Sequence, residues 1–289
     1  MNQLHHTCLL CNSTAIFELK NYEKDFLVKC KECDFVFCKR IPTADELINH
    51  YKKYTRNGSI SPITIKRYHE LINQFEKYRK TNNILDIGCG DGFFLEVAKE
   101  RGWNVFGTEF TDEAIETCIN KGINVQKGIL NPKNYNTIRF DVITSFEVIE
   151  HINNPQSELK NIYALLREQG VLYFTTPNFN SFSRYSLKYK WNIIEYPEHL
   201  SYYTAKTIHL FFKKNGFKKI ELLTTGININ RYKSSINNNQ TDFLTKNVEE
   251  ELRIKSEKVG IYNLAKKSIN FILNILKMGD SIKGIYIKN

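Results

Sequence analysis

The chain has 289 residues with 42% hydrophobic content, enough to bury the core of one large domain or of one domain with a small appendage, which excludes a peptide-like scaffold. It contains no run of 18 apolar residues, and its first residues, MNQLHHTCLLCNS, lack the apolar core and cleavage site of a signal peptide, so we expect a cytoplasmic protein with no transmembrane segment. The formal net charge of +10 is compatible with a polyanionic partner, but the lysines are interleaved with Glu and Asp along the whole chain, as on an ordinary solvated surface.

Two C-x-x-C pairs open the chain: Cys8 with Cys11, and Cys30 with Cys33. This spacing is that of a zinc ribbon, in which two tight knuckles supply four thiolates to one tetrahedral Zn²⁺. A segment of about 40 residues cannot form a stable core by burial alone, and a bound metal can contribute on the order of 10 kcal/mol. Four thiolates leave no open position for chemistry, so we predict a structural zinc ribbon over residues 1–40. A redox C-x-x-C, or a ribbon that has lost its metal, is the alternative.

Residues 41–82 show two helical patterns. Pro42 and Thr43 precede a helix that carries Tyr51 and Tyr54, and Pro62 starts a second helix that reaches about residue 80. We expect this segment to link the ribbon to the main domain and to cap its active site.

From residue 83 to the end, strand and helix patterns alternate. Six short apolar runs are predicted strands: NILDIG, WNVFGTE, INVQK, FDVITSF, VLYFTTP and FKKIELLTT. Asn154 and Pro155 cap and open one of the helices between them, and Thr204 caps another. This rhythm predicts a doubly wound α/β domain over residues 83–289, with helices on both faces of a mostly parallel sheet.

A helical insertion is expected at about residues 228–279. The Asn-rich stretch ININRYKSSINNNQ is predicted to be a loop, and two helices follow it, over 247–262 and 263–278. The second is basic and amphipathic, so it could lie on a membrane surface, although packing over the domain or across a dimer is the more common use of such a helix. The final SIKGIYIK alternates like a strand.

A glycine turn follows the first predicted strand, in the stretch ILDIGCGDG. Gly88, Gly90 and Gly92 let the backbone turn sharply and approach a ligand. Glu109 ends the second strand, where a carboxylate can accept both hydroxyls of a nucleoside ribose. NAD and S-adenosylmethionine (SAM) sites share this geometry. Asp86, an acidic residue inside the first strand, favours SAM, because SAM carries no phosphate and presents a cationic amino-acid end.

The motifs ILDIGCGDG, GTE, FDVITSFEVIEHINNPQSELKNIYALLREQGVLYFTTPN and EHLSYYTAKTIHLFFKKNGF together resemble class I SAM-dependent methyltransferases of the subgroup with an N-terminal zinc ribbon. CKECDFVFCKRIPTADELINHYKKY is similar to the second knuckle of that subgroup and the helix after it. The resemblance covers nearly the whole chain except residues 228–279. It implies a Rossmann-like, doubly wound, seven-stranded sheet whose last strand, GDSIKGIYIKN, runs antiparallel beside the sixth.

The resemblance also implies which residues hold SAM. The expected contacts are Asp86, Gly88, Gly90 and Gly92, with Glu109 on the ribose, Phe110 and Ile129 on the adenine, and Phe146 as a lining residue. Many relatives have an acidic residue after the glycine of the segment that reads GIL here, at 128–130. A contact from this segment to the adenine amino group is therefore not predicted.

Two stretches of the sequence supply candidate residues for catalysis at the acceptor. The stretch FEVIEH places Glu147, Glu150 and His151 after the fourth strand, and E-x-x-E-H has metal-binding and catalytic roles at this point in ubiquinone-type O-methyltransferases, although E-H also supports the loop in many relatives. His199, in YPEHLSYY, resembles the acceptor-side histidine of the ribbon subgroup. We take it as the first candidate base, with Glu198 as orienting partner; a structural histidine is the alternative. The predicted catalytic residues are His199, His151 and Glu150.

Tyrosines with apolar faces and polar tips are suited to a sugar or ring, and the candidates are Tyr51, Tyr54, Tyr196 and Tyr202. The subgroup commonly modifies sugars, so we expect O-methylation of a sugar or sugar-attached group in cell-surface polysaccharide synthesis, with a nucleotide-linked sugar or glycan as acceptor. C-methylation of a nucleotide-linked keto-sugar and methylation of RNA or DNA are the alternatives. The chain lacks the asparagine-proline-proline-aromatic signature of N-methylating nucleic-acid enzymes. A monomer or a homodimer is expected.

Overall fold

A seven-stranded sheet forms the centre of the molecule, for which a computed structural model describes residues 3–51, 60–237 and 260–289. The strands of this sheet are β4 (Asn83–Ile87), β5 (Asn104–Glu109), β6 (Asn124–Lys127), β7 (Phe140–Phe146), β8 (Leu166–Pro177), β10 (Phe217–Thr225) and β11 (Ser281–Lys288). Their order across the sheet is β10-β11-β8-β7-β4-β5-β6.

Six strands run in one direction and β11 runs against them. The pairs β4–β5, β4–β7, β5–β6 and β7–β8 are parallel, whereas β11 is antiparallel to both β8 and β10. The predicted Rossmann-like α/β sheet, with its last strand antiparallel beside the sixth, is therefore confirmed. Because the parallel strands end at one edge, the turns after β4, β5 and β7 meet there.

Helices cover both faces of this sheet. The helices in the described residues are α1 (Ala44–Tyr51), α2 (Pro62–Phe75), α3 (Phe93–Glu100), α4 (Asp112–Asn120), α5 (Pro155–Leu165), α6 (Phe182–Leu187), α7 (Ala205–Lys214), α8 (Ile229–Asn237) and α9 (Gly260–Leu276). One core cluster joins the sheet to Phe75 of α2 and Leu95 of α3, and another joins it to Leu159 of α5 and Phe211 of α7. Each such side chain contributes about 1.5–3 kcal/mol when fully buried.

Two helix starts have the caps that the sequence predicts. The Asn154 side chain accepts a hydrogen bond from the backbone N–H of Ser157 at 3.1 Å, with Pro155 in the first turn of α5. Thr204 accepts from the N–H of Thr207 at 3.1 Å, which satisfies a donor that the helix itself leaves unpaired.

A second, four-stranded sheet belongs to the N-terminal segment. It contains β1 (Ile16–Glu18), β2 (Leu27–Cys30) and β3 (Val36–Cys38), and its fourth strand is β9 (Ser201–Tyr202) from the main domain. β3 pairs antiparallel with β9, with Val36 opposite Tyr202 and Phe37 opposite Ser201. The ribbon segment is thus joined to the main domain by backbone hydrogen bonds as well as by side-chain packing.

The region after β10 differs from its prediction in one element. The Asn-rich stretch expected to be a loop forms α8, so that prediction was wrong for residues 229–237. α8 is held by contacts outside itself: Ser235 accepts from the backbone N–H of Asn192 at 3.2 Å, and the Tyr232 hydroxyl lies 2.7 Å from that of Ser186. The helix predicted over 247–262 falls largely outside the described residues.

Helix α9 packs on β10 along a narrow edge. Leu273 is buried, and the side chains of Asn270 and Asn274 accept hydrogen bonds from the N–H groups of Gly226 and Thr224. Its other large apolar side chains that the structure describes are exposed: Leu264, Ile269, Phe271, Ile272, Ile275 and Leu276. Among the described residues, no helix is long and apolar enough to cross a bilayer.

Candidate active site

The glycine turn after β4 forms the floor of a cradle at the carboxyl edge of the sheet. Gly88 has a φ of +67°, and a Cβ there would lie 2.7 Å from Val148, so a larger residue would be both strained and crowded. Gly90 has a φ of +54°, and a Cβ there would meet nothing within 4 Å. The open side of Gly90 is therefore the side on which a ligand can approach the backbone.

Glu109 ties the end of β5 to this turn. One of its oxygens accepts from the backbone N–H groups of Phe110 and Thr111, at 2.8 and 3.0 Å. The other accepts from the N–H of Gly90 at 3.0 Å. The carboxylate is thus fixed between two strand ends.

Two large apolar side chains lie exposed beside the cradle. Phe110, directly after Glu109, is 57% exposed, and Ile129, in the turn after β6, is 68% exposed. Exposed apolar side chains next to a polar ligand site are suited to pack against a flat ring. Contact of these two side chains with an adenine stays a prediction.

Asp86 lies below the turn, inside β4, and is 3% exposed. Its carboxyl accepts a hydrogen bond from the Thr144 hydroxyl at 2.7 Å. Burial raises its pKa to about 8, and the nearby Cys118 and Glu109 act in the same direction. A cation bound at the turn would favour the ionised carboxylate. The site therefore fits a positively charged ligand such as SAM.

An aromatic wall stands at the end of β7. Phe146 contacts the rings of Phe94, Tyr68 and Tyr173, with centroids 5.0, 5.8 and 5.4 Å apart. Tyr68 of α2 is not among the site residues predicted from the sequence. Its spacing on that helix gave no sign that it would lie against a predicted lining residue.

The segment after β7 forms a tight turn. Glu147 has a φ of +52°, which for a non-glycine residue is a strained conformation, and Ile149–His151 is one turn of 3₁₀ helix. Leu200 donates its backbone N–H to the carbonyl of Glu150 at 2.8 Å. This bond joins the turn to the loop that carries His199, so the E-H pairs of FEVIEH and YPEHLSYY meet.

His151 and His199 are held in the same way. Nδ1 of His151 lies 2.6 Å from the carbonyl oxygen of Glu198, and Nδ1 of His199 lies 2.7 Å from that of Ile193. A carbonyl can only accept, so each Nδ1 carries the proton and each Nε2 of the neutral ring keeps a lone pair. The two rings are 4.7 Å apart between centroids.

Glu150 is buried beside these rings. One carboxyl oxygen accepts from the Thr176 hydroxyl at 2.9 Å, and the other, Oε1, has no hydrogen-bond partner. Burial, followed by the charge of Glu147, raises the pKa of Glu150 well above its usual range. Burial lowers the pKa of His151, and it lowers that of His199 to about 4 with a further contribution from His151. Both imidazoles are therefore neutral near pH 7.

Charged residues that were not predicted to lie at the site also face it. Arg231 of α8 lowers the pKa of Glu147 and of Glu150 through its positive charge, against the larger effect of burial. The Glu198 carboxylate, expected to orient His199, instead lies 3.6 Å from Nε2 of His50 on α1. Only the fold could reveal Arg231, since it stands in the segment predicted to be a loop.

Of the four predicted substrate-binding tyrosines, the structure describes the side chains of Tyr196 and Tyr202. Tyr202 is 3% exposed, and its hydroxyl donates to the carbonyl of His199 at 3.1 Å, so it positions the histidine loop and lies out of reach of a substrate. Tyr196 is half-buried, with its ring 5.1 Å from that of Phe26 and its hydroxyl 3.4 Å from Glu46. Tyr54 and the side chain of Tyr51 lie outside the described residues.

The four ribbon cysteines form a cluster whose two halves are alike. Asn12 and Asp34, the residues after the two C-x-x-C pairs, have φ values of +64° and +63°, and each donates its N–H to the carbonyl of the first cysteine of its pair. The Sγ atoms of Cys8 and Cys33, and those of Cys11 and Cys30, are 3.5 Å apart, and all four lie within 4.8 Å of one another. Zn–S bonds of about 2.3 Å in a tetrahedron give S···S distances of about 3.8 Å. The cluster could therefore hold one zinc ion.

The ribbon also supports the histidine loop directly. Cys38 donates its N–H to the carbonyl of Leu200 at 2.9 Å, and its Sγ lies 3.5 Å from the carbonyl oxygen of His199. His5 and Gln156 add contacts across the same boundary, to Asn153 and to the carbonyl of Leu10.

Comparison with known proteins gives one family and several relatives. A model of the family described as a methyltransferase domain matches residues 62–222, more than half of the chain. The ubiquinone biosynthesis O-methyltransferase of Coxiella burnetii is 34% identical over 107 residues, which cover 35% of this chain and 46% of that protein. Its counterpart in Haemophilus ducreyi is 32% identical over 152 residues, which cover 49% of this chain and 61% of that protein. The chain thus spans about half the length of the curated relatives it matches.

Among solved structures, a SAM-dependent methyltransferase from Archaeoglobus fulgidus matches with a TM-score of 0.50 and 18% identity, covering 85% of this chain and 100% of that one. At this identity the likeness concerns the fold.

Proposed function

The chain belongs to the methyltransferase domain family, and from that premise we propose that it is a SAM-dependent enzyme that methylates an oxygen of its acceptor. The choice of oxygen rests on the pair of neutral histidines, His151 and His199, which meet beyond the end of β7. The Nε2 atom of each ring is unprotonated and keeps its lone pair. A hydroxyl acceptor must lose its proton during transfer, and such a nitrogen can accept it.

We propose that the cradle holds SAM through the residues the sequence suggested. Gly88, Gly90 and Gly92 line the amino-acid end, with the charge of Asp86 beneath it. Glu109 accepts the ribose hydroxyls, Phe110 and Ile129 pack on the adenine, and Phe146 lines the side towards the acceptor. What supports this set is the fixed Glu109 carboxylate and the open side of Gly90 beside two exposed apolar side chains.

The reaction is an in-line displacement. The acceptor oxygen forms a bond to the SAM methyl carbon, the carbon–sulfur bond breaks with its electron pair going to sulfur, and S-adenosylhomocysteine leaves. The hydroxyl proton passes to Nε2 of His199, with His151 and Glu150 as further catalytic residues around it. Alignment of the two substrates supplies about 7–11 kcal/mol, and proton removal about 10²- to 10⁴-fold.

The acceptor we propose is a sugar or sugar-attached hydroxyl of a cell-surface polysaccharide, such as a capsule or lipopolysaccharide, presented as a small nucleotide-linked precursor or a glycan. Support comes from the resemblance of the ribbon and of YPEHLSYY to the sugar-modifying subgroup. A phenolic hydroxyl is a second candidate, because the curated relatives are named ubiquinone biosynthesis O-methyltransferases.

We propose a structural Zn²⁺ on Cys8, Cys11, Cys30 and Cys33, and the domain plan of a ribbon over 1–40, a helical linker and cap over 41–82, and a methyltransferase domain over 83–289 with its insertion at 228–279. The likeness of the two knuckles supports the zinc. For α9, whose apolar side chains are exposed, we propose peripheral membrane contact or a homodimer interface as the two alternative roles.

The test is turnover by the purified full chain with SAM and two acceptor panels, one of nucleotide-linked sugars and glycans and one of phenols. We expect S-adenosylhomocysteine and an O-methyl product, located by mass spectrometry, with the first panel. Turnover confined to phenols would move the acceptor to the second class. A C-methyl product, or no turnover with either panel by protein that binds SAM, would reject O-methylation of these acceptors.

A further inference from the structure

Helix α9 (Gly260–Leu276) turns a polar side towards the domain and an apolar side away from it. Asn270 and Asn274, one turn apart, accept hydrogen bonds from two backbone N–H groups at the end of β10, at 2.8 and 3.1 Å. Ile272 and Leu276 follow these asparagines by two positions, about 200° around the helix, and so lie on the opposite side. An amphipathic helix of a globular protein normally has the reverse orientation, with its apolar side on the core.

The outward side of α9 is an apolar stripe. Phe271, Ile272, Ile275 and Leu276 are each more than half exposed, and Leu264 extends the stripe towards the start of the helix with the same degree of exposure. Large apolar side chains that are exposed together mark a surface that contacts another molecule or a membrane. The stripe therefore needs an occupant.

The charge around the stripe selects between the two roles proposed for α9. The helix contains no acidic residue, and Lys267 and Lys277 are exposed. Lys267 lines one open groove together with Phe271 and Ile272, so its positive charge lies directly beside the apolar side chains. In a two-fold symmetric dimer the stripe would meet its own copy, and the lysines of both copies would come together without a carboxylate from either helix. Anionic lipid headgroups supply the missing negative charge, which strengthens binding about 5-fold per lysine.

We propose that α9 docks the protein on an anionic lipid bilayer. The helix lies in the plane of the membrane, with its apolar stripe among the acyl chains and its lysines among the headgroups, as interfacial amphipathic helices do. This contact is peripheral, since no helix in the described part of the chain is long and apolar enough to cross a bilayer.

The end of α9 lies at the edge of the sheet that carries the cradle. Asn178, directly after β8, donates from its side-chain amide to the carbonyls of Lys277 and Gly279, at 3.0 and 2.7 Å. β8 is parallel to β7, so it ends at the same edge as the turn that carries His151. A docked α9 holds this edge next to the membrane. The purpose of docking rests on the proposed function, because an acceptor glycan attached to a membrane lipid is presented at that surface.

The experiment is co-sedimentation of the full chain with two kinds of vesicle, one of phosphatidylcholine alone and one of an equal mixture of phosphatidylcholine and phosphatidylglycerol. We expect affinity at least about 10-fold higher for the mixed vesicles, and a loss of this difference as the salt concentration rises.

The apolar part of the contact is tested by the double variant Phe271→Ser with Ile275→Ser. Its affinity for the mixed vesicles should fall at least about 10-fold, because two side chains that enter the acyl region are lost. Ile119→Ser with Leu210→Ser is the matched control, since it removes two exposed apolar side chains from α4 and α7, and it should bind like the wild type. Circular dichroism checks that both proteins are folded. Undiminished binding by the α9 variant would overturn the proposal.

The charged part is tested by Lys267→Gln with Lys277→Gln. Affinity should fall at least about 10-fold for the mixed vesicles and stay unchanged for phosphatidylcholine alone. Equal binding of the wild type to both vesicles, or binding to neither, would overturn the proposal. A dimer seen by sedimentation velocity that dissociates in the Phe271→Ser, Ile275→Ser variant, with no vesicle binding by the wild type, would assign the stripe to a second copy of the chain.

Failure of the proposed function has a different signature. Protein that docks on the mixed vesicles but forms no methyl product with any acceptor would reject the proposed function and support docking. Turnover by protein that binds neither vesicle would reject docking alone.

Discussion

His151 and His199 face each other with ring centroids 4.7 Å apart although 47 residues separate His151 from Glu198, the partner of its Nδ1. Both rings are fixed by backbone carbonyls of the 193–198 loop, which is distant in sequence for His151 and adjacent for His199. The arrangement makes the two histidines one functional unit, and their replacement should have related effects.

Replacing either histidine should slow methyl transfer without weakening the binding of SAM. For His199→Gln and His151→Gln we expect kcat to fall by about 10²- to 10⁴-fold, because loss of the base, or of the ring beside it, leaves the acceptor hydroxyl protonated. The SAM dissociation constant, measured by calorimetry, should stay within a few-fold of the wild type. His209→Gln, on α7, serves as control. Full activity in folded His199→Gln protein would contradict the assignment of this residue to catalysis.

SAM binding should strengthen as the pH rises from 6 to 7.5. Burial raises the pKa of Asp86 to about 8 in the free protein, so its carboxyl is protonated over this range and must release a proton to face the permanent charge of the sulfonium. The affinity is expected to rise by up to about tenfold per pH unit, with proton release visible by calorimetry in buffers of different ionisation enthalpy. In Asp86→Asn the affinity should be lower and flat over the same interval; a slope that survives this change would assign the proton to another group.

Glu158 should make the folded protein less stable as the pH rises. Burial raises its pKa to about 7 from an ordinary value of 4.5, so between these pH values the folded state holds a proton that the unfolded state has lost. The free energy of unfolding is therefore highest below about pH 4.5 for this group and falls as the pH passes through 7, by on the order of 2 kcal/mol after allowance for partial exposure. Comparison of urea unfolding of wild type and Glu158→Gln from pH 5 to 8 should show a shallower decline in the variant. Parallel curves would exclude this carboxyl as the source.

Loss of the zinc proposed for the ribbon should reduce catalysis more than cofactor binding. Cys30→Ser removes one of four thiolates, and the strand β3 that follows its knuckle supports the loop of His199 through Cys38. We expect the zinc content to fall by one ion per chain and kcat by at least about 10-fold, with the SAM dissociation constant changed only a few-fold. Glu32→Ser, an exposed change within the same knuckle, is the matched control. Zinc loss with undiminished kcat would separate the ribbon from the site.

The sheet and the helix starts were predictable because their signals are local. Apolar runs, the glycine turn and the caps at Asn154 and Thr204 each depend on residues a few positions apart. The cysteine spacing likewise predicted a cluster that the structure brings together.

Contacts made across long stretches of chain were not predictable. Arg231 reaches the acidic residues because Asn-rich α8 is held in place by Ser186 and Asn192, which no propensity encodes. Tyr202 was expected at the substrate, and its burial in β9 follows from pairing with Val36. Alternation along a two-residue strand is too short to show which face it buries.

The pairing of β3 with β9 also determines when the ribbon sheet can be completed during synthesis on the ribosome. The ribbon leaves the ribosome first, yet the partner of its strand Val36–Cys38, which is buried in the final structure, is synthesised only after residue 200. Until then the nascent chain presents an apolar strand with an unpaired edge, the kind of surface that recruits other strands and promotes aggregation. A ribbon expressed by itself would keep that edge exposed, so we expect it to aggregate more readily than the full chain.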